Sequence, residues 1–382
     1  MTTITSGPCT ISIVNPPSSL LGQAAALLSS QQWLNMSTGY KYNNAGTQIG
    51  SYGSTYAPSG TSAFIQTQYN TGIALGYSTK IMFDPGPSQG NGLMYVFGGD
   101  HNTSIQTMQF YYYTESTNTW ASYGVPSWVN PPGNHEWEHA CLSPGSPKVL
   151  WFRPYSQLNM LKWAGAGNPT SWTTYSMSPY PSYADPEMGI EYFPALSRII
   201  VIDCDNGDYG YATGWDPVNN VINPSTPYST NMLGLGHTSK FCQYNPTSNL
   251  LWMGGSSATF LMDHTGTVTQ ADSSPTVGTT VPMTGIGNTN NCAVAVPNPT
   301  NGNWLVFWDN NNVFDFNPSS SLGSQFTTRT NSGNNAGPFV PGGGGAYGPP
   351  FGVAAVSVAE YGVVAFVQTF NQIAADMWLY KP

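Results

Sequence analysis

An apolar strand, a turn that often passes through proline, and a second, more apolar strand recur six times along this chain of 382 residues. The first strands and turns are Ile81-Met82-Phe83-Asp84-Pro85, Ala140-Cys141-Leu142-Ser143-Pro144, Ile190-Glu191-Tyr192-Phe193-Pro194, Phe241-Cys242-Gln243-Tyr244-Asn245-Pro246, Val296-Pro297-Asn298-Pro299 and a weaker Val356-Ser357-Val358-Ala359-Glu360. The second strands are Leu93–Phe97, Val149–Phe152, Ile199–Ile202, Leu250–Met253, Trp304–Trp308 and Val363–Val367. Aligned on Pro85, Pro144, Pro194, Pro246, Pro299 and Glu360, the spacings are 59, 50, 52, 53 and 61 residues. Self-similarity at about 50 residues marks a repeat architecture. It constrains the shape of the molecule far more than its activity.

The bulk numbers narrow the partners. Only 7% of residues are charged, against about 25% in an ordinary soluble domain, so solubility rests on Asn, Ser, Thr, Gln and turn backbone. Aromatics at 13% exclude a disordered polar tract. Nine basic residues against 18 acidic ones give a net charge of −9. With no cationic cluster, nucleic acid and anionic membrane are not expected partners. The first residues, Met1-Thr2-Thr3-Ile4-Thr5-Ser6-Gly7-Pro8, carry no secretory signal pattern, and no segment has the length of a membrane span. Five cysteines (Cys9, Cys141, Cys204, Cys242, Cys292) form no CxxC motif. Their odd number, and the places of Cys141, Cys242 and Cys292 in or beside the first strands of their repeats, suit free thiols.

The first repeat carries the fullest local signature. Gly98-Gly99 follows its second strand, and Tyr113 stands seven residues before Trp120. Later copies keep parts of it: Trp163 then Trp172, Trp215-Asp216, Gly254-Gly255 then Met262-Asp263, and Phe316-Asn317 then Phe326. This resembles the kelch repeat and the galactose-oxidase-like propellers. The resemblance covers roughly residues 76–382 and implies an all-β, six-bladed kelch-like β-propeller. Copper oxidase activity is disfavoured, because no Tyr–Cys pair with paired His ligands falls on matched positions.

The blades are expected near residues 76–126, 134–180, 185–226, 236–275, 288–330 and 349–382. The last ends after Met377-Trp378-Leu379-Tyr380, a third strand without a fourth. Gln32-Trp33-Leu34-Asn35-Met36 resembles the fourth strand of blade two, Ser171-Trp172-Thr173-Thr174-Tyr175-Ser176-Met177. Residues 31–36 are therefore predicted to complete the last blade and close the ring, which removes an exposed sheet edge. The propeller would then span 31–382. Residues 1–30, with a helix-like run at Leu20–Leu28, form an N-terminal tail and a possible docking segment. Residues 37–75 suit an added hairpin or a degenerate seventh blade.

Candidate chemistry comes from strand direction. The loop leading into a blade and the loop after its second strand share one face. That face collects His135, His139, Asp185, Glu187 and His237 from the first set, and Asp100, His101, Arg153 and Asp203 from the second. His135, Asp185 and His237 each stand nine residues before the proline of their repeat. A lyase on acidic polysaccharide would use His135, His139 or His237 as general acid or base, and Arg153 against the substrate carboxylate. Asp100, His101, Asp185 and Glu187 would contribute ligand contacts. The simpler reading has these side chains satisfying loop backbone. Asp203, Asp205 and Asp208 surround a glycine turn, as in a Ca2+ loop; a plain Asx turn fits the same residues, and no other cofactor is expected. Tyr111, Tyr112, Tyr113, Tyr175, Tyr180 and Tyr183 offer either sugar-stacking faces or packing between blades.

The composition favours a non-catalytic binding and structural propeller on a virion or extracellular surface, recognising a glycan on a host cell. Its tail would dock on a capsid or tail protein. The alternative is a glycan-active enzyme, a polysaccharide lyase first.

Overall fold

The structure is a computed structural model. It describes residues 2–6, 9–13, 18–64, 80–98, 109–122, 139–145, 148–153, 159–163, 172–177, 189–204, 209–233, 241–255, 258–273, 293–308, 312–330, 353–370 and 374–382.

Six antiparallel sheets form the blades of a β-propeller. Blade one comprises Met82–Asp84, Leu93–Gly98, Gln109–Thr114 and Thr119–Ser122. Blade two comprises Ala140–Ser143, Val149–Phe152, Asn159–Trp163 and Thr173–Ser176. Blade three has Gly189–Phe193, Arg198–Cys204 and Tyr209–Asp216, with its outer edge split between Val221–Ile222 and Ser229–Leu233. Blade four comprises Phe241–Asn245, Leu250–Gly254, Thr259–Met262 and Val268–Ala271. Blade five comprises Ala293–Pro297, Trp304–Trp308, Asn312–Phe316 and Phe326–Thr330. The first strands touch one another in cyclic order, one to six and back to one, so they line the axis.

Blade six closes the ring as the sequence predicts. Val353–Val358, Val363–Phe370 and Ala374–Lys381 are followed in the sheet by Gln32–Asn35. Trp378 pairs with Asn35, Leu379 with Leu34 and Tyr380 with Trp33. The sheet then continues outward through Tyr40–Tyr42 and Gln48–Ser51. Part of the 37–75 stretch is thus an added hairpin on blade six.

The repeated turn has a local cause. The residue before its proline is an Asx in three copies, and each bends the chain by accepting a backbone N–H two residues on. Asp84 accepts from Gly86, Asn245 from Thr247 and Asn298 from Thr300. The spare side-chain atoms tie blades together: Asp84 also accepts from Lys148 N, and Asn245 donates to Asn303 O at 2.6 Å.

The second strands are almost wholly apolar because both faces are covered. Six apolar clusters among the described residues each fill the gap between adjacent blades. In blade five, Trp304 and Val306 face blade four, while Leu305 and Phe307 face blade six. That is the period of two that a strand imposes. Trp252 stacks on Phe316 across blades four and five, with centroids 4.0 Å apart. Trp151 meets Trp215 edge-on across blades two and three. Trp120 packs with Tyr113 in its own blade and with Phe64, within the cluster between blades six and one. Tyr111 and Tyr113 are buried, so packing and not sugar stacking is their role.

The N-terminal helix Leu20–Ala26 belongs to the core. Ser19 caps it by accepting from Gly22 N, and Leu21, Ala24 and Ala25 are buried between blades six and one. Residues 2–13 form a separate hairpin, Thr2–Ser6 with Cys9–Ile13. Cys141 and Cys242 are buried free thiols. No helix among the described residues is long and apolar enough to cross a membrane.

Candidate functional site

A cavity of about 540 Å³ opens on the axis where the first strands end, and residues from all six blades line it. Its rim is the repeated turn: Pro144, Pro194, Pro246 and Pro299 stand around it. Half-buried Tyr192 and Tyr244 are among the lining residues, each two residues before its proline, and both also pack on the clusters between blades. Lys80, Glu191 and Gln243 lie further back along the first strands and give the cavity a polar floor.

Lys80 holds that floor together. It stands just before the first strand of blade one and is nearly buried. Its Nζ lies 2.7 Å from Glu191 Oε2 of blade three. It also donates to Ile190 O at 2.9 Å and to Cys242 O of blade four at 3.2 Å. Blades one and four are opposite members of a ring of six, so the side chain crosses the channel. An ammonium has three N–H donors, and these three acceptors match them. That match is what makes a desolvated ion pair tolerable. Burial, then the Glu191 carboxylate, push the Cys141 thiol nearby well up from its ordinary value. It is a packing residue and not a nucleophile.

The other end of the channel is where first strands begin and second strands finish, and the described residues expected to carry chemistry lie there. There are three of these, and the structure brings them together. Arg153 N donates to His139 O at 3.0 Å, and His139 Nδ1 lies 3.2 Å from Arg153 O. Arg153 Nη1 reaches Asp203 Oδ2 of blade three at 3.3 Å. The three side chains are buried, with Arg153 at 0% and Asp203 at 1% exposure. Arg153 therefore ties blade two to blade three, and Asp203 receives a guanidinium. His135, His237, Asp100, His101, Asp185, Glu187, Asp205 and Asp208 lie outside the described residues. Among the described residues no group of three or more His, Cys, Asp or Glu is gathered as a metal site.

Sequence reasoning missed the cavity because it ranked titratable residues on the loop face. The alignment nevertheless held a signal. Lys80 stands five residues before Pro85, where blade two has His139, five before Pro144. A lysine at the start of an inner strand, in a chain with few cations, marks the axis.

No family model matches the sequence, and no curated protein matches it. Among solved structures, the fucose-specific lectin from Aleuria aurantia is 9% identical with a TM-score of 0.44, covering 80% of this chain and 93% of the lectin. The Penicillium chrysogenum alpha-L-arabinanase is 12% identical with a TM-score of 0.47, covering 84% of this chain and 97% of that one. Virginiamycin B lyase from Staphylococcus aureus is 14% identical with a TM-score of 0.43, covering 83% and 87%. Likeness at this level sets no function for the chain.

Proposed function

We propose that this propeller is a non-catalytic glycan-binding module, displayed on a virion or extracellular surface and directed at a host cell. The observation that carries the reading is the axial cavity, with proline and tyrosine walls over a polar floor. Ligand pockets are commonly concave, largely apolar and of roughly 300–1,000 Å³, with a few convergent polar groups. Tyrosine faces suit the C–H face of a pyranose, and the amides of Gln243 and Asn298 suit its hydroxyls. Six blades built from one repeat, with the signature at Gly98-Gly99, Tyr113 and Trp120, support kinship with the kelch-type propellers. The buried helix Leu20–Ala26 leaves the hairpin of residues 2–13 as the segment for docking on a capsid or tail protein.

The lyase reading has less support. Of its four named residues, His139 and Arg153 are buried, and Arg153 is engaged by Asp203. Calcium at Asp203, Asp205 and Asp208 would have to compete with Arg153 for the first of these carboxylates.

Screening the full chain against a glycan array, followed by calorimetry on the best binder, tests the proposal. Tyr192→Ala and Tyr244→Ala are each expected to weaken binding about tenfold, or ~1.4 kcal/mol. An array with no binder, or tyrosine variants that bind as well as the parent, would refute it. Release of unsaturated uronate from an acidic polysaccharide would favour the lyase instead.

A further inference from the structure

We infer that the axial cavity takes an acidic sugar, a hexuronate or nonulosonate unit, whose carboxylate is read by Lys148. The inference rests on the glycan-binding reading and narrows it to a substrate class.

The argument begins with scarcity. The chain has nine cationic side chains among 382 residues and a net charge of −9. Two of the nine, Lys80 and Lys148, line the same cavity. They differ in kind. Lys80 is consumed by structure, with Glu191 and two carbonyls around its ammonium. Lys148 is half-buried at the wall, and among the described residues its ammonium has no ion pair or hydrogen-bond partner. Its backbone N–H fixes it in place by donating to the buried carboxylate of Asp84. A half-buried cation among the lining residues of a concave site is a feature that an anion would use.

The rest of the lining decides which anion. Glu191 is the one acidic residue among the lining residues, and Lys80 neutralises it at 2.7 Å. The floor therefore does not repel a carboxylate. A phosphate cradle would need clustered N–H donors or several cations, and one lysine among prolines and tyrosines is a poor match. A single carboxylate on a ring with an apolar face fits both the charge and the walls. The cavity also lies on the face opposite to Arg153, so the cation that reads the acid differs from the one the sequence suggested.

The test uses full-length protein and matched probes: oligogalacturonate and sialyllactose, each beside its carboxyl-reduced counterpart, with lactose as the neutral control. Calorimetry should show at least one acidic probe bound about tenfold to a hundredfold more tightly than its reduced form, as charge-assisted bonds predict. Added salt should weaken it. Lys148→Gln should abolish that preference, so that the acidic probe binds no more tightly than its reduced form, and Lys148→Arg should restore most of it. The Asp84 bond uses the backbone of residue 148, so both variants keep the fold. Equal binding of acidic and reduced probes, or an acid preference that survives Lys148→Gln, overturns this inference while leaving the glycan-binding reading intact. No binding of any sugar, charged or neutral, overturns both.

Discussion

Trp33→Ala tests the closure of the ring at a single side chain. Trp33 is fully buried in the N-terminal strand of blade six. Its ring lies 4.4 Å from that of Tyr380 and 5.5 Å from Phe366, both in blade six, and 5.8 Å from Phe307 of blade five. One residue thus belongs at once to the closing strand, to the sheet it closes and to the interface with the next blade. A buried tryptophan removes roughly 150–250 Å² from water, which at ~25 cal/mol per Å² is roughly 4–6 kcal/mol. Alanine keeps a small part of this, and the cavity it leaves relaxes incompletely. The expected loss is therefore about 3–5 kcal/mol, in the range of other Trp-to-Ala changes in cores. Urea titration followed by tryptophan fluorescence and circular dichroism would give the shift in midpoint, with Trp33→Phe as a milder control. A loss below about 1 kcal/mol for the alanine variant, with unchanged slope, would mean that this strand is not packed into the ring.

Three further outcomes follow from the buried charges. Arg153→Leu should cost about 3–5 kcal/mol because it strands the Asp203 carboxylate; a change under about 1 kcal/mol in the same titration would contradict the tie between blades two and three. Lys80→Met should destabilise by several kcal/mol, whereas Lys80→Met with Glu191→Leu should recover much of the loss, since replacing both partners removes the orphaned charge; additive losses would refute the pairing. Burial, and then the Glu115 carboxylate, raise the Glu360 carboxyl to about 7. A carboxyl with a raised folded-state value favours folding while protonated, so its contribution is full below its unfolded value near 4.5 and is lost as pH rises through about 7. Water screens this half-exposed group, which limits the effect to about 1 kcal/mol. Glu360→Gln should flatten thermal stability over that window and raise it at its alkaline end; an unchanged pH profile would sink the idea.

The fold was legible because its cause is local and repeated. A proline or Asx turn between two apolar strands sets strand direction, and the sixth copy takes its fourth strand from elsewhere in the chain. The likeness of Trp33–Met36 to Trp172–Met177 supplied that strand. The axial cavity was harder to see. Tyr192 and Tyr244 read as ordinary strand aromatics, and their common place beside the axis appears only when the blades are arranged in a circle. Lys80 escaped notice because its partners, Glu191, Ile190 and Cys242, are over a hundred residues away in sequence. The loop residues stood out for their charge alone. Those that the structure describes, His139, Arg153 and Asp203, pack against each other between blades. Charge in a charge-poor chain marks a cost that must be met, by a partner in the fold as readily as by a ligand.

The seam between residues 32–35 and 374–381 also has a consequence in time. Synthesis delivers Gln32–Asn35 well before Ala374–Lys381, the strand that pairs with it. At ~5–20 residues per second, the early strand waits roughly 20–70 s for its neighbour. Through that interval Trp33 and Leu34 belong to an unpaired, apolar edge of the kind that recruits the wrong chain. Five blades can assemble in order behind it, but the sixth interface forms only once residues 374–381 have been made. The strand Ala374–Lys381 is therefore the checkpoint of the whole ring: a chain truncated before residue 374 loses the third strand of blade six and the anchor of Gln32–Asn35 together.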